Sequence, residues 1–312
     1  MIDLNATSAD YLEYCEKQKR LSNKTIKAYT SDIAQFLRFA QELDYTEKKI
    51  ITDYIAHLHK TFSSKSAKRK LASIKAFYAF MIYDERIQEN PFYRINTKFQ
   101  EPQVLPKTIP LPTIKRILGI AYNSLTQANT EYSIYAAQRD IAVLELLFAT
   151  GMRVSELCSL NICDVDLDNG VIYIMGKGTK ERSIQIGNND VHAILCEYKK
   201  THLLLVDLGD EEKPFFINRL QRRLSDQSVR FMIKSICAKA AVSQHVTPHM
   251  FRHSFATLLL EEDVDIRYIQ QMLGHNSIKT TQIYTQVTLK KQRQILSEKH
   301  PRNKLSFDHK NV

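Results

Sequence analysis

The chain has 312 residues, 44% of them hydrophobic and 25% charged, with a formal net charge of +10 at pH 7 and a pI near 9.2. That length favours two domains over one, the composition is that of a soluble globular protein, and no apolar run approaches the roughly 20 residues needed to cross a bilayer. The positive surplus favours a polyanionic partner, while only eight glycines, with neither a Walker-type nor a GxGxxG loop, argue against ATP-driven or NAD-dependent chemistry.

The opening stretch, "MIDLNATSADYLEYCEKQKR", carries acids early and lacks an apolar signal core, so secretion is not expected. From there the apolar period is helical. "TSADYLEYCEKQKRL" predicts a helix capped at Thr7 or Ser8, with Tyr11, Leu12 and Cys15 inward. A second follows in "SNKTIKAYTSDIAQFLRFAQEL", striped by Ile26, Tyr29, Ile33, Phe36, Leu37 and Phe39. "EKKIITDYIAHLHKTF" and "SAKRKLASIKAFYAFMIYDERI" make a third and a fourth, the last stopped by Glu89 to Pro91. The fourth opens with Lys65, Lys68, Arg69 and Lys70 and continues to Lys75, and Lys68 and Lys75, seven apart, share a face. Such a row is either a solvated lysine face or a phosphate-contacting surface, with Thr25, Ser64 and Ser66 as neutral donors.

Residues 97–112, "TKFQEPQVLPKTIPLP", hold four prolines and no apolar period, the composition of a semi-rigid linker. The expected division is a helical domain over 1–96, this linker, and a second domain over 113–312. In the second domain "TIKRILGIAYNSL" and "AAQRDIAVLELLFATGM" read as helices, the latter ending at Gly151. "RVSELCSLNICDVD" reads as a short helix. The period then changes to two in Val171–Met175 and Arg182–Ile186 around "GKGTKE", a β-hairpin signature. Helices return from "NDVHAILCEYKKTHLL" onward, except near "KPFFINR". The fold class expected is mainly α with a small β-sheet. The five cysteines are scattered without CxxC spacing, which suits a reducing cytoplasm and neither disulfides nor a zinc site.

Six residues in this domain draw attention as a set. Arg153 directly follows a helix-ending "TG", with Glu156 three residues on to orient it or close a capping box. Lys177 lies in the glycine-bounded hairpin turn. In "TPHMFRHSFATLLLEE", Pro248 starts a helix whose first turns place His249 and Arg252 on one face, where an anion would be welcomed. "DVDIRYIQQMLGHNSIKTTQIYTQV" reads as helix, turn, helix, with Gly274 at the stop, His275 in the turn, Ser277 as N-cap and Tyr284 up to two turns into the second helix. Singly, each is as readily a surface or structural residue. Together they join two arginines to clamp non-bridging phosphate oxygens, a lysine or histidine to protonate a leaving alkoxide, and a phenol activated as nucleophile by neighbouring cations. No acidic cluster suited to Mg²⁺ accompanies them, so neither metal nor other cofactor is expected.

In order, "ATGMRVSEL", "GKGTKER", "TPHMFRHSFATLLL" and "MLGHNSIKTTQIYT" closely resemble the motifs of tyrosine recombinases of the phage-integrase family, and of its Xer-like type in particular. "NKTIKAYTSDIAQFLRF" and "AKRKLASIKAFYAFMIYDERIQENP" resemble that family's amino-terminal, SAM-like core-binding domain, so the likeness spans nearly the whole chain. It implies a C-shaped clamp around duplex DNA and strand exchange through a 3′-phosphotyrosyl intermediate and a Holliday junction, without ATP or metal. By resemblance Tyr284 is the nucleophile, Arg153 and Arg252 bind the non-bridging oxygens, and Lys177 protonates the 5′-oxygen. His249 manages the tyrosine proton, and His275 hydrogen-bonds the phosphate. The partners implied are double-stranded DNA with paired inverted-repeat half-sites and three further protomers, of this chain or of a second recombinase. The implied setting is the prokaryotic cytoplasm at the nucleoid, with no membrane, and the implied event is chromosome dimer resolution or movement of an element. The tail after Tyr284 resembles a segment that docks on a neighbouring protomer. The core-binding pattern begins near residue 7, which leaves no room for an additional arm-binding domain. Two other readings compete: a catalytically silent DNA-binding clamp, and an enzyme like a type IB topoisomerase.

Overall fold

A computed structural model describes residues 3–40, 45–93, 95–97, 106–175, 181–205 and 213–274. The chain divides into two compact units, Met1–Val104 and Leu105–Val312, each with its own apolar core.

The first unit is helical: α1 Leu4–Lys17, α2 Asn23–Phe39, α3 Lys48–Thr61 and α4 Ser64–Tyr83. Helix α1 starts earlier than the sequence suggests. Asp3, not Thr7 or Ser8, is its N-cap, the Asp3 carboxylate accepting from the backbone of Asn5 and Ala6, and Thr7 is buried with its hydroxyl donating to the Asp3 carbonyl at 2.8 Å. The stripe read on α2 meets Phe77, Tyr78 and Met81 of α4 in the core, where Phe36, Tyr54 and Tyr78 pack edge to face.

In the second unit, α5 Leu111–Thr126 begins inside the proline-rich stretch, because Pro112 in its first turn is pre-set for a helical start. Just before it Ile109 is buried, and its backbone N–H donates to the Ser254 hydroxyl at 2.7 Å. Helix α6, Glu131–Thr150, is the centre of the unit. Ile141 to Leu144, Leu146 and Leu147 are all buried, so this helix is apolar on nearly every side and touches neighbours all round. Gly151 ends it in the left-handed conformation, at φ +60°.

After Gly151 come α7, Val154–Ser159, a single 3-10 turn at Ile162–Asp164, and an antiparallel sheet of β1 Val165–Asp166, β2 Val171–Met175 and β3 Glu181–Gln185, in that spatial order. The hairpin read from sequence is present, with Ile172 opposite Ile184 and Ile174 opposite Arg182. Strand β1 was not foreseen, and at two residues it is too short to show a period. The carboxyl end of α7 is held by Arg223, whose guanidinium donates to the carbonyls of Cys158, Ser159 and Leu160. Helices α8 Asn189–Leu205, α9 Asp226–Lys239, α10 Pro248–Glu261 and α11 Ile266–Leu273 complete the described unit. The "KPFFINR" interruption is a core segment, with Phe215 and Phe216 fully covered. Mostly helical with a small sheet, the chain has the expected fold class.

Candidate active site

Arg153 is the N-cap residue of α7, placed by the left-handed turn at Gly151 that reverses the chain out of α6. Glu156, one turn on, both caps and orients. Its Oε2 accepts the Arg153 backbone N–H at 2.8 Å, and its Oε1 accepts the Arg153 guanidinium at 2.7 Å. A second arginine, Arg182 on β3, also grips Glu156, through Nη1 to Oε1 at 3.0 Å and Nη2 to Oε2 at 2.8 Å. Burial alone would raise the Glu156 carboxyl. Hydrogen bonds from Arg182, then from the Arg153 backbone and guanidinium, outweigh it and hold the carboxyl down to about 2.

Arg252 reaches the same place from α10, whose N-terminal Pro248 makes the predicted helix start. It is only 4% exposed. Its guanidinium donates to the Gly151 carbonyl at 2.8 Å and to the Leu273 carbonyl at 2.7 Å. Both carbonyls end helices, so the cation bridges the negative poles of α6 and α11. Helix α11 stops at Gly274 in the left-handed conformation, φ +62°. A Cβ there would lie 2.8 Å from Nη1 of Arg182, so a side chain at 274 would have to displace that guanidinium as well as adopt a backbone angle that favours glycine.

His249 sits one turn before Arg252 and is exposed at the surface. Its pKa is lowered, first by partial desolvation, then by repulsion from Arg230, Arg252 and Arg153, with Asp226 opposing. The imidazole is therefore held neutral, the form that accepts a proton. Arg230, Arg252 and Arg153 act on His249 against Asp226 alone, and Arg153 in turn shares Glu156 with Arg182. The surplus around the neutral imidazole is positive, which suits an anion.

The structure thus brings together Arg153, His249 and Arg252. Lys177, His275 and Tyr284 lie outside the described residues; the strands flanking Lys177 are formed, and α11 ends at Leu273 with Gly274 as its cap. Two contributors, Arg182 and Arg230, were missed in the sequence. Arg182 had a signal: with Ile184 and Ile186 it shares one face of a strand, and a charge on an apolar face needs a partner.

In the first unit, Lys65, Lys68 and Lys75 are exposed along α4, and Thr25 sits in the first turn of α2, its hydroxyl 2.9 Å from that of Ser22. Lys70 departs from expectation. Its side chain is 10% exposed and its amine donates inward to Asp32 at 3.1 Å and Gln35 at 2.6 Å, so it is not a phosphate contact. Arg69 grips the same buried Asp32 while staying half exposed. An unpaired carboxylate in that core would cost several kcal/mol, which is why two cations of the row turn to it.

Among the described residues no helix is long and apolar enough to cross a membrane, and no group of three or more His, Cys, Asp or Glu side chains is placed to hold a metal ion.

Comparison with known proteins agrees with the geometry. Residues 115–291 match the Phage integrase family, and residues 9–85 match the phage integrase N-terminal SAM-like domain. A tyrosine recombinase of Agathobacter rectalis is 48% identical over 98% of this chain and 100% of its own length. Tyrosine recombinase XerC of Bacillus pumilus is 32% identical over 94% of this chain and 95% of its own. Among solved structures, the XerH site-specific recombinase bound to palindromic difH substrate, in a post-cleavage complex, superposes with a TM-score of 0.74 at 21% identity, covering 93% of this chain and 84% of that one. That likeness shows the fold. By family match and by sequence identity over its full length, the chain belongs to the phage integrase family, the tyrosine recombinases that cleave and rejoin DNA at specific sites.

Proposed function

We propose that Tyr284 is the nucleophile of this recombinase, that Arg153 and Arg252 clamp the scissile phosphate, that His249 takes the tyrosine proton, and that Lys177 and His275 complete the site. The Tyr284 phenol oxygen bonds to phosphorus and its proton passes to His249. The bond to the 5′-oxygen breaks, and that oxygen leaves as a hydroxyl with a proton from Lys177. A 3′-phosphotyrosyl link conserves the energy of the phosphodiester, so a 5′-hydroxyl from the second duplex reverses the step without ATP. The observation that carries this reading is the convergence of Arg153, Arg252 and a neutral His249 in one cationic site.

The substrate is double-stranded DNA with inverted-repeat half-sites, for which the palindromic difH site in the XerH complex is the precedent. Four protomers, of this chain alone or with a second recombinase, act on two such sites in the prokaryotic cytoplasm. Thr25, Lys65, Lys68 and Lys75 approach the phosphate backbone from the first unit. The segment after Tyr284 docks on a neighbouring protomer.

A pool of nicked duplexes of randomised sequence, incubated with wild type and with Tyr284→Phe, tests this directly. SDS-resistant adducts should form with wild type only, and the attached DNA should be enriched in an inverted repeat. Adducts formed by Tyr284→Phe would remove the tyrosine from its role. Tight DNA binding with no adduct from either protein would favour the silent clamp.

A further inference from the structure

Glu156 is shared by two arginines of different fates. Its carboxylate has about four acceptor positions, and all four are used: two by Arg182, one by the Arg153 guanidinium and one by the Arg153 backbone N–H. Arg153 therefore lends Glu156 a single guanidinium N–H, whereas Arg182 gives it a fork. The Arg182 side chain is 16% exposed and packed against Gly274, which places it behind the site. Arg153, at 36% side-chain exposure, is the one that reaches outward.

We propose that Arg182 is a positioning residue for the cleavage reaction: by occupying both oxygens of Glu156 it prevents that carboxylate from closing a bidentate grip on Arg153, and so leaves the Arg153 charge uncancelled and turned toward the scissile phosphate. The proposal rests on the reading of Arg153 as a phosphate clamp. Without Arg182, two acceptor positions open on Glu156. The nearest guanidinium, Arg153, closes into the fork geometry that carboxylate and arginine prefer. One carboxylate with two guanidiniums leaves one positive charge for the substrate; one with one guanidinium leaves none. The same side chain touches Gly274, so it also sets how closely β3 approaches the stop of α11.

The test compares adduct formation on two nicked duplexes of the recovered site, one with an ordinary scissile phosphate and one with a methylphosphonate there. The methylphosphonate carries no negative oxygen and needs no cation to offset it. Arg182→Gln should slow cleavage of the phosphate by about tenfold or more, a fraction of what direct loss of an oxyanion donor costs. It should regain most of that loss on the methylphosphonate, in parallel with Arg153→Ala. Adding Glu156→Gln to Arg182→Gln should also restore part of the rate on the phosphate, because a neutral amide cannot cancel Arg153. Arg182→Lys, which keeps a charge on Glu156 without the fork, carries the same comparison if the glutamine variant does not fold, and should lose less. Equal slowing of Arg182 variants on both substrates, with Arg153→Ala rescued, overturns the proposal and leaves the clamp standing. Absence of rescue for Arg153→Ala itself overturns the clamp, and the role of Arg182 falls with it.

Discussion

Three histidines of the second unit, His202, His249 and His253, have lowered pKa values, in each case with burial as the first cause. Each therefore binds fewer protons in the folded chain than in the unfolded one, where the ordinary value is 6.5. Stability from these groups is complete above that value and is lost as pH falls through it. Glu156, held down to about 2, keeps its contribution until pH falls below its ordinary 4.5. The urea midpoint should accordingly decline between pH 7 and 5, before Glu156 titrates. A midpoint that is flat over that window would mean the histidines are solvated. How legible these residues were depended on how far away their partners lie. Arg153 and Glu156 are three apart and could be paired on sight. Arg252 was placed correctly beside His249, but the carbonyls that hold it come from Gly151 and Leu273, 101 and 21 residues away. Nothing in a local spacing encodes such a bond. Lys70 shows the converse: in a row of lysines its chemistry is that of its neighbours, and only the fold, by burying Asp32 next to it, turns it inward.

Helix ends decide where the arginines stand. Gly151 takes φ +60°, and a Cβ there would sit 2.6 Å from a ring carbon of Phe255 and 2.9 Å from Cδ2 of Leu273. Gly151→Ala combines the left-handed penalty of about 1–2 kcal/mol with overpacking of similar size. A loss of about 2 kcal/mol or more in unfolding free energy is expected from urea titration, and a loss below about 0.5 kcal/mol would show that the turn relaxes freely. Elements of this sort were the easiest to read. Gly151, Pro248 and Gly274 are punctuation with a mechanism, and the three helix ends fall where those residues stand. Starts set by one polar side chain were harder, as Asp3 against Thr7 illustrates, because several candidates lay within one turn. The hairpin was recognisable by its period, yet its inner arginine looked like ordinary strand decoration until β2 gave it a register opposite Ile174.

On the scale of the molecule, a surplus of ten positive charges is spread over two units with separate cores. If that surplus meets duplex DNA, log affinity should fall linearly with log salt, by about 0.9 for each phosphate neutralised. Lys65→Ala should lower the slope by about that amount and leave stability unchanged. Lys70→Ala should leave the slope alone and destabilise the first unit by about 3 kcal/mol, since it strips a partner from buried Asp32. The reverse pattern would mean that the two lysines had been assigned the wrong way round. The two-unit plan and the class of each unit could be read from proline content and apolar period, because both are chain-wide averages. Of the six residues read as a set, Arg153, His249 and Arg252 lie among the described residues and come together, and their contacts were only partly legible. The two arginines proposed to clamp the phosphate also differ in how they can be lost. The acceptors that hold Arg252 are main-chain oxygens, one of them on Gly151, whose own identity is fixed by its left-handed backbone and lack of space, whereas a single base change at the codon for Glu156 withdraws support from two guanidiniums together. Arg252 thus depends on a helix stop and Arg153 on one side chain, and position 156 ties two arginines to a single codon.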